Sequence, residues 1–258
     1  MKRKIEVVGS QDALNSPREL AELTSSPSGL GIVKIAFPDS TKAVALENFG
    51  DSLVEILAAI GKPIRVYDRY DLWKPIGVNP QLQSDRAGGV GAIPVHIDLV
   101  NTTEPPDFVV FFCERSDASD GGQSVVAPFN AALERLPEKI VESLSEIRIR
   151  EGKFFSLSNV GAELDPFPLL TYRDDRLEWV RYTGKSGAEI VEGNVESFVR
   201  LRHELEQVSI RFELEPGQAF IVNQHLAAHG RTALGPQQGI DAGRHRLLWQ
   251  TFVRATTA

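Results

Sequence analysis

Two histidines and one aspartate in this sequence have the types and the spacing of a metal site. His96 and Asp98 are separated by one residue. Residues i and i+2 of a strand point to the same face, so this imidazole and this carboxylate can bind one ion side by side. The triplet alone is a weak signal, because such short motifs occur by chance in many proteins. His229 adds a second imidazole, in a stretch that we interpret as a strand ending in a short turn.

Two histidines and one carboxylate are the diagnostic ligands of non-haem Fe(II) oxygenases, and they leave coordination positions open. Two open positions suit a bidentate 2-oxo acid and one suits O2. A dicarboxylate such as 2-oxoglutarate also needs a partner for its far end, and the planar fork of arginine binds a carboxylate with two bonds. Arg244 and Arg246, at the start of a late predicted strand, are both candidates for this contact.

The wider pattern resembles the taurine-dioxygenase-like superfamily of Fe(II)- and 2-oxoglutarate-dependent oxygenases, within it the clavaminate-synthase-like and carbapenem-synthase-like branch. The matching pieces follow the order of the family between residues 94 and 254. They are His96-Ile97-Asp98, residues 106–115, Gly121-Gly122-Gln123-Ser124, residues 216–223, His229-Gly230-Arg231 and residues 246–253.

The resemblance implies a role for several residues. It places iron on His96, Asp98 and His229. It puts Ser124 where the family has a threonine that touches the co-substrate carboxylate. Alignment of the final strand favours Arg246 over Arg244 as the 2-oxoglutarate ligand, although a motif alignment does not decide between them.

The resemblance also implies an activity. The enzyme would use Fe(II), 2-oxoglutarate and O2 to oxidise an unactivated C–H bond of an amino acid or amino-acid-derived small molecule in natural-product biosynthesis. Hydroxylation, desaturation and ring closure stay open as outcomes, and so does presentation of the substrate by a carrier protein. A cupin-like metal enzyme without 2-oxoglutarate and a non-catalytic metal-binding module are the alternatives, because fold by itself does not imply function.

Four further side chains are candidates for the substrate pocket. Asn101 and Thr102 closely follow the triplet, where they either line the pocket or cap a turn. Arg181 lies on a predicted core strand, and a buried arginine needs a partner, either a substrate carboxylate or an internal group. Gln250 stands four positions after Arg246, where many relatives carry a basic residue near the substrate. A neutral amide argues against a strongly anionic substrate group at that place.

The composition limits the other classes of function. The 258 residues fit one domain, 1–258, and the net charge of -7 argues against a nucleic-acid-binding face. A single cysteine, Cys113, excludes an internal disulfide, and we expect a cytoplasmic protein. No apolar run of about 18 or more residues exists, so we expect no membrane span. The sequence does not indicate the oligomeric state.

The apolar pattern predicts an α+β, mainly β fold: a double-stranded β-helix, or jelly roll, with flanking helices. Residues 107–113 are nearly continuously apolar, which predicts a strand buried on both faces. Helical spacing predicts helices over 129–145 and 195–208. Residues 62–95 are rich in glycine and proline, and we interpret them as an irregular loop that leads into the candidate site.

Overall fold

The computed structural model describes residues 7–34, 44–82, 85–152 and 157–256. The strands are β1 (Val7–Gly9), β2 (Leu30–Lys34), β3 (Gly61–Ile64), β4 (Lys74–Gly77), β5 (Ile93–His96), β6 (Phe108–Arg115), β7 (Ser124–Pro128), β8 (Arg148–Arg150), β9 (Phe167–Pro168), β10 (Leu170–Arg173), β11 (Arg176–Val180), β12 (Glu189–Glu192), β13 (Ile210–Phe212), β14 (Gln218–Asn223), β15 (Ala227–Arg231) and β16 (Leu247–Ala255). The helices are α1 (Ser10–Asn15), α2 (Pro17–Thr24), α3 (Gly50–Leu57), α4 (Phe129–Leu133), α5 (Glu138–Leu144) and α6 (Val195–Val208), with 3-10 turns at Leu46–Asn48 and Ala242–Arg244.

Two sheets face each other and enclose the central core. The major sheet has the order β1-β2-β14-β6-β16-β3, with β4 also paired to β16, and the minor sheet has the order β13-β7-β15-β5. Phe111, Phe220 and Phe252 of the major sheet pack against Val126 and Ala227 of the minor sheet. This sandwich of largely antiparallel strands is the jelly-roll core that the sequence predicts, and the mainly β fold class is confirmed.

Strand β6 is buried on both faces, as its apolar run predicts. Successive side chains of a strand point to opposite sides of the sheet. Val109 and Phe111 therefore point into the central core, while Val110 and Phe112 contact the helices on the outer face of the major sheet.

Helices cover the outer faces of both sheets. Helices α1 to α3 pack on the major sheet, and α4 to α6 pack on the minor sheet together with β8 to β11. The predicted helix over 129–145 is divided at Pro137 into α4 and α5, because proline lacks the N–H that a continuous helix needs. Helix α6 has the predicted bounds, and the Asn194 side chain caps it by accepting the N–H groups of Glu196 and Ser197.

The interpretation of residues 62–95 as an irregular loop is partly wrong. Strand β4 lies within this stretch, β3 overlaps its start and β5 its end, and both β3 and β4 pair with β16. Pro63 and Pro75 lie inside these two strands. A strand with proline is confined to the edge of a sheet, so the same residues that indicate a loop are also compatible with edge strands. None of the described helices is long and apolar enough to cross a membrane.

Candidate metal centre

The three predicted metal ligands meet on the minor sheet. His96 ends β5, and His229 lies directly opposite it on the neighbouring strand β15. Asp98 stands two residues further on, in a turn. Two details of the sequence interpretation are corrected, because His229 lies within a strand and Asp98 lies just beyond one. Strand pairing therefore brings together two residues that are far apart in the sequence.

The spacing of the three side chains fits one ion. Their ligand atoms all lie within 4.8 Å of one another. The Nε2 atom of His96 is 3.4 Å from Oδ1 of Asp98, and the Nε2 atom of His229 is 3.4 Å from Oδ2. Atoms that are each about 2 Å from a shared ion lie roughly 3 Å from one another. No other group of three or more His, Cys, Asp or Glu side chains with this spacing occurs in the described parts of the chain.

The protonation states also suit a metal. The Nδ1 atom of His96 is 2.8 Å from the Pro94 carbonyl oxygen, so an Nδ1–H donates there and Nε2 keeps its lone pair for an ion. Burial, aided by the charges of Lys185 and His229, lowers the pKa of His96 to about 4. Burial would raise the pKa of Asp98, but His229 and His96 hold this pKa well below its usual range. Neutral imidazole beside ionised carboxylate is the donor set that Fe(II) needs.

Two glutamines hold Asp98 in place. The Gln250 Nε2 atom donates to Oδ2 of Asp98 at 2.7 Å. The fully buried Gln224 accepts the backbone N–H of Asp98 at 2.6 Å and donates to the Pro106 carbonyl oxygen at 2.8 Å. The sequence predicts a substrate contact for Gln250, whereas the structure has its amide on a metal ligand. The sequence does not indicate the role of Gln224, which is only a polar residue that follows an apolar strand.

Two of the three candidate co-substrate residues are buried, and the third is exposed. Arg246 immediately precedes β16 and is buried, and burial lowers its pKa to about 10. Its guanidinium forms no hydrogen bond or ion pair with any described residue. Gly122 lies against it, and a Cβ there would be 3.4 Å from Cδ of Arg246. Ser124, two residues after Gly122, is also buried. Arg244 is exposed on a 3-10 turn, which favours Arg246 over Arg244 as the co-substrate ligand.

The remaining three substrate candidates differ in their contacts. Arg181 donates to the carbonyl oxygens of Val100 at 2.8 Å and Thr102 at 2.7 Å, so its guanidinium is held by the protein. The Thr102 hydroxyl donates to Leu99 at 2.9 Å and caps the turn. Asn101 is fully buried, and neither polar atom of its amide has a partner among the described residues. Of the three, only Asn101 has buried side-chain polar atoms without a hydrogen-bond partner among the described residues.

The sequence matches a known protein family and is similar to proteins of Streptomyces. A family model described as "Taurine catabolism dioxygenase TauD, TfdA family" matches residues 76–252. The L-asparagine oxygenase of Streptomyces coelicolor is 29% identical over 151 residues, which are 57% of this chain and 43% of that protein. Clavaminate synthase 2 of Streptomyces clavuligerus is 24% identical over 165 residues, 60% of this chain and 49% of that protein. The matches thus span about half the length of these relatives.

Solved structures resemble the fold over nearly the whole chain. An asparagine oxygenase in complex with Fe(II), 3-hydroxyasparagine and succinate has a TM-score of 0.73 at 20% identity, covering 95% of this chain and 78% of that one. The non-heme iron oxygenase OrfP, in complex with Fe and α-ketoglutaric acid, has a TM-score of 0.69 at 13% identity, covering 98% of this chain and 95% of that one. These likenesses establish the jelly-roll architecture.

Proposed function

Because the chain belongs to the TauD/TfdA family of dioxygenases, we propose that it is an Fe(II)- and 2-oxoglutarate-dependent oxygenase. The observation that carries this proposal is the centre of His96, Asp98 and His229, whose atoms have the spacing and protonation that one ferrous ion requires. Iron with 2-oxoglutarate and O2 supplies the oxidising power to attack an unactivated C–H bond. The side chains hold the metal, orient the two organic molecules and exclude water.

The far carboxylate of 2-oxoglutarate binds to Arg246 and Ser124 in this proposal. Arg246 is a buried cation that forms no ion pair with a described residue, although the charge of Asp117 partly offsets its burial. A buried charge without a direct partner is costly unless a ligand neutralises it. Ser124 is buried and offers a hydroxyl that can donate to the same carboxylate.

The proposed substrate is an amino acid or an amino-acid-derived small molecule in natural-product biosynthesis. The relatives support this class, since one curated relative is named for L-asparagine and a structural neighbour binds L-arginine. Hydroxylation is the proposed outcome, with desaturation or ring closure as further oxidations at the same centre. The only cysteine, Cys113, is a buried free thiol, which fits the reducing conditions of the cytoplasm.

An anaerobic titration tests the co-substrate. Fe(II) and then 2-oxoglutarate are added to metal-free protein while the visible spectrum is recorded. We expect a metal-to-ligand charge-transfer band that is lost in His96→Ala and Asp98→Ala and needs far more 2-oxoglutarate in Arg246→Met. Arg244→Met is the matched control, because that arginine is exposed, and it should titrate like the wild type.

The opposite result is equally informative. Fe(II) binding without a charge-transfer band would remove 2-oxoglutarate from the reaction and favour a cupin-like enzyme with the same metal ligands. Amino-acid-stimulated release of succinate from 2-oxoglutarate under O2 then tests the substrate class in protein that shows the band.

A further inference from the structure

Lys74 is a cation in the wall beside the candidate metal centre. It begins β4, and its direct cross-strand partner on β16 is Gln250. Directly opposite residues of an antiparallel pair place their side chains on the same face of the sheet. The Gln250 amide contacts Asp98 on that face at 2.7 Å. Lys74 therefore faces the space in which the metal ligands lie.

The ammonium of Lys74 has no anionic partner among the described residues. Its Nζ atom lies 4.0 Å from the centroid of the Tyr67 ring, and it forms no ion pair or hydrogen bond in the described part of the chain. Burial lowers the pKa of Lys74, while the charge of Asp98 raises this pKa and that of Lys185 lowers it. Burial also raises the pKa of Tyr67, so its ring is a neutral platform beneath the cation.

A partly buried cation is unfavourable unless something compensates it. The aromatic ring supplies part of that compensation from one side. On the side that faces Asp98, the only carboxylate of the described residues whose charge acts on Lys74 is Asp98 itself, a prospective metal ligand whose charge the ion would neutralise. The geometry therefore leaves a place for an anion that enters with a bound molecule.

We propose that Lys74 binds the carboxylate of the substrate, with the Tyr67 ring holding the ammonium group in position. This assignment rests on the proposed function, since it takes the molecule to be one that is oxidised at the His96, Asp98 and His229 centre. The substrate class becomes narrower: an amino acid with a free carboxylate. An amino acid joined to a carrier protein as a thioester has lost this group, so the assignment favours a free substrate.

The co-substrate has a different cation. Arg246 stands four residues before Gln250 on the same chain segment, which corresponds to roughly 13 Å along a strand. A 2-oxoglutarate molecule held between the metal and Arg246 has no need of Lys74 for its far carboxylate. In this proposal Arg246 binds the far carboxylate of 2-oxoglutarate, and Lys74 binds the carboxylate of the substrate.

The test is a binding comparison by calorimetry under argon. The probes are the proteinogenic L-amino acids and, for each one that binds, its C-terminal amide. Each is titrated into protein loaded with Fe(II) and 2-oxoglutarate and into metal-free protein. The variants are Lys74→Met, Lys74→Arg and the control Lys62→Met, which changes an exposed lysine on β3, another strand paired with β16.

We expect Lys74→Met to weaken binding of the free amino acid by about 30- to 100-fold, the usual scale for loss of one partner of a partly buried charge pair. The amide should bind the wild type as weakly as the free acid binds Lys74→Met, and Lys74→Met should weaken the amide no further. Lys74→Arg should restore part of the affinity, and Lys62→Met should change nothing. The melting temperature of Lys74→Met should be unchanged or higher, because a methionine packs on Tyr67 without a buried charge.

Three results overturn the assignment. The first is equal binding of acid and amide by the wild type. The second is a Lys74→Met variant that loses affinity for 2-oxoglutarate instead of the amino acid, which would give Lys74 to the co-substrate. The third is that every amino acid has the same affinity for Lys74→Met as for the wild type, or a higher one.

Failure of the proposed function has a separate signature. If the charge-transfer band is absent but metal-free protein still binds an amino acid in a Lys74-dependent way, the oxygenase proposal fails and the Lys74 site stands. If the band is present and binding does not depend on Lys74, the enzyme proposal stands and the Lys74 site fails.

Discussion

Arg181 and Arg246 are two buried arginines in different parts of the molecule, and they differ in what satisfies them. Arg181 is 4% exposed and Arg246 is 7% exposed, and burial lowers the pKa of each to about 10. Arg181 donates to the carbonyl oxygens of Val100 and Thr102, in the turn that follows the metal ligands. Arg246 has no such partner among the described residues.

The difference shows that burial and a shifted pKa do not by themselves identify a functional group. A charged side chain that donates to buried carbonyl oxygens of the protein contributes to the fold. One whose donors remain free contributes to binding, at some expense of stability. Arg181 was a substrate candidate by sequence and belongs to the first kind. Arg246 and Lys74 have no hydrogen-bond or ion-pair partner among the described residues, and the proposals above assign them to the second kind.

The largest expected effect is on co-substrate binding. Arg246→Met should raise the concentration of 2-oxoglutarate needed for half-maximal turnover by about 100-fold or more, because the carboxylate loses a buried charged partner. The free energy of unfolding should be unchanged or slightly higher, since no internal hydrogen bond is broken. Initial rates at varied 2-oxoglutarate and a urea unfolding curve check both parts. A large loss of stability would show that Arg246, like Arg181, stabilises the fold, and it would contradict the difference between the two arginines.

The next effect is on stability. Arg181→Met should lower the free energy of unfolding by about 2 kcal/mol, because two buried carbonyl oxygens lose a charged donor. The affinity for 2-oxoglutarate should remain near that of the wild type in the folded fraction. Chemical denaturation and the charge-transfer titration measure the two quantities. A variant of normal stability with selectively weaker substrate binding would instead support the sequence interpretation of Arg181 as a substrate ligand.

The smallest effect concerns the loops beside Arg246. The Asp117 carboxylate accepts the N–H groups of Gly121 at 3.1 Å and Gly235 at 2.7 Å and the Gln237 amide at 2.9 Å. Burial would raise the pKa of Asp117, but these donors hold it below the usual value of 3.8. The stabilisation is therefore present above that value and is lost as the pH falls through the lower pKa of the folded state.

Asp117→Asn should cost about 1 kcal/mol at neutral pH and make stability less dependent on pH in the acid range. Thermal unfolding at a series of pH values measures this, with the exposed Asp241→Asn as control. An effect on 2-oxoglutarate binding as large as that of Arg246→Met would show that Asp117 sets the position of the arginine. Asp117 would then contribute to ligand binding through Arg246 and not only to stability.

Much of the fold follows from local patterns. The apolar run of β6 indicates burial on both faces, and the spacing of α6 gives its bounds, because both depend on which neighbours in sequence share a face. Strand β4 was missed because it is short and contains Pro75, which locally indicates a turn. The sequence does not indicate Lys74 either, since the position of this lysine beside the metal ligands depends on the pairing of β4 with β16.

By itself, the sequence determined the donor types and their order along the chain. The metal is indicated by the chemistry of His96, Asp98 and the distant His229. The co-substrate is indicated by the chemistry of Arg246. Only the tertiary structure decided which polar groups are satisfied. Strand pairing places His229 opposite His96, sets Gln250 on Asp98 and leaves Lys74 facing the centre, because hydrogen-bond partners here come from segments far apart in sequence.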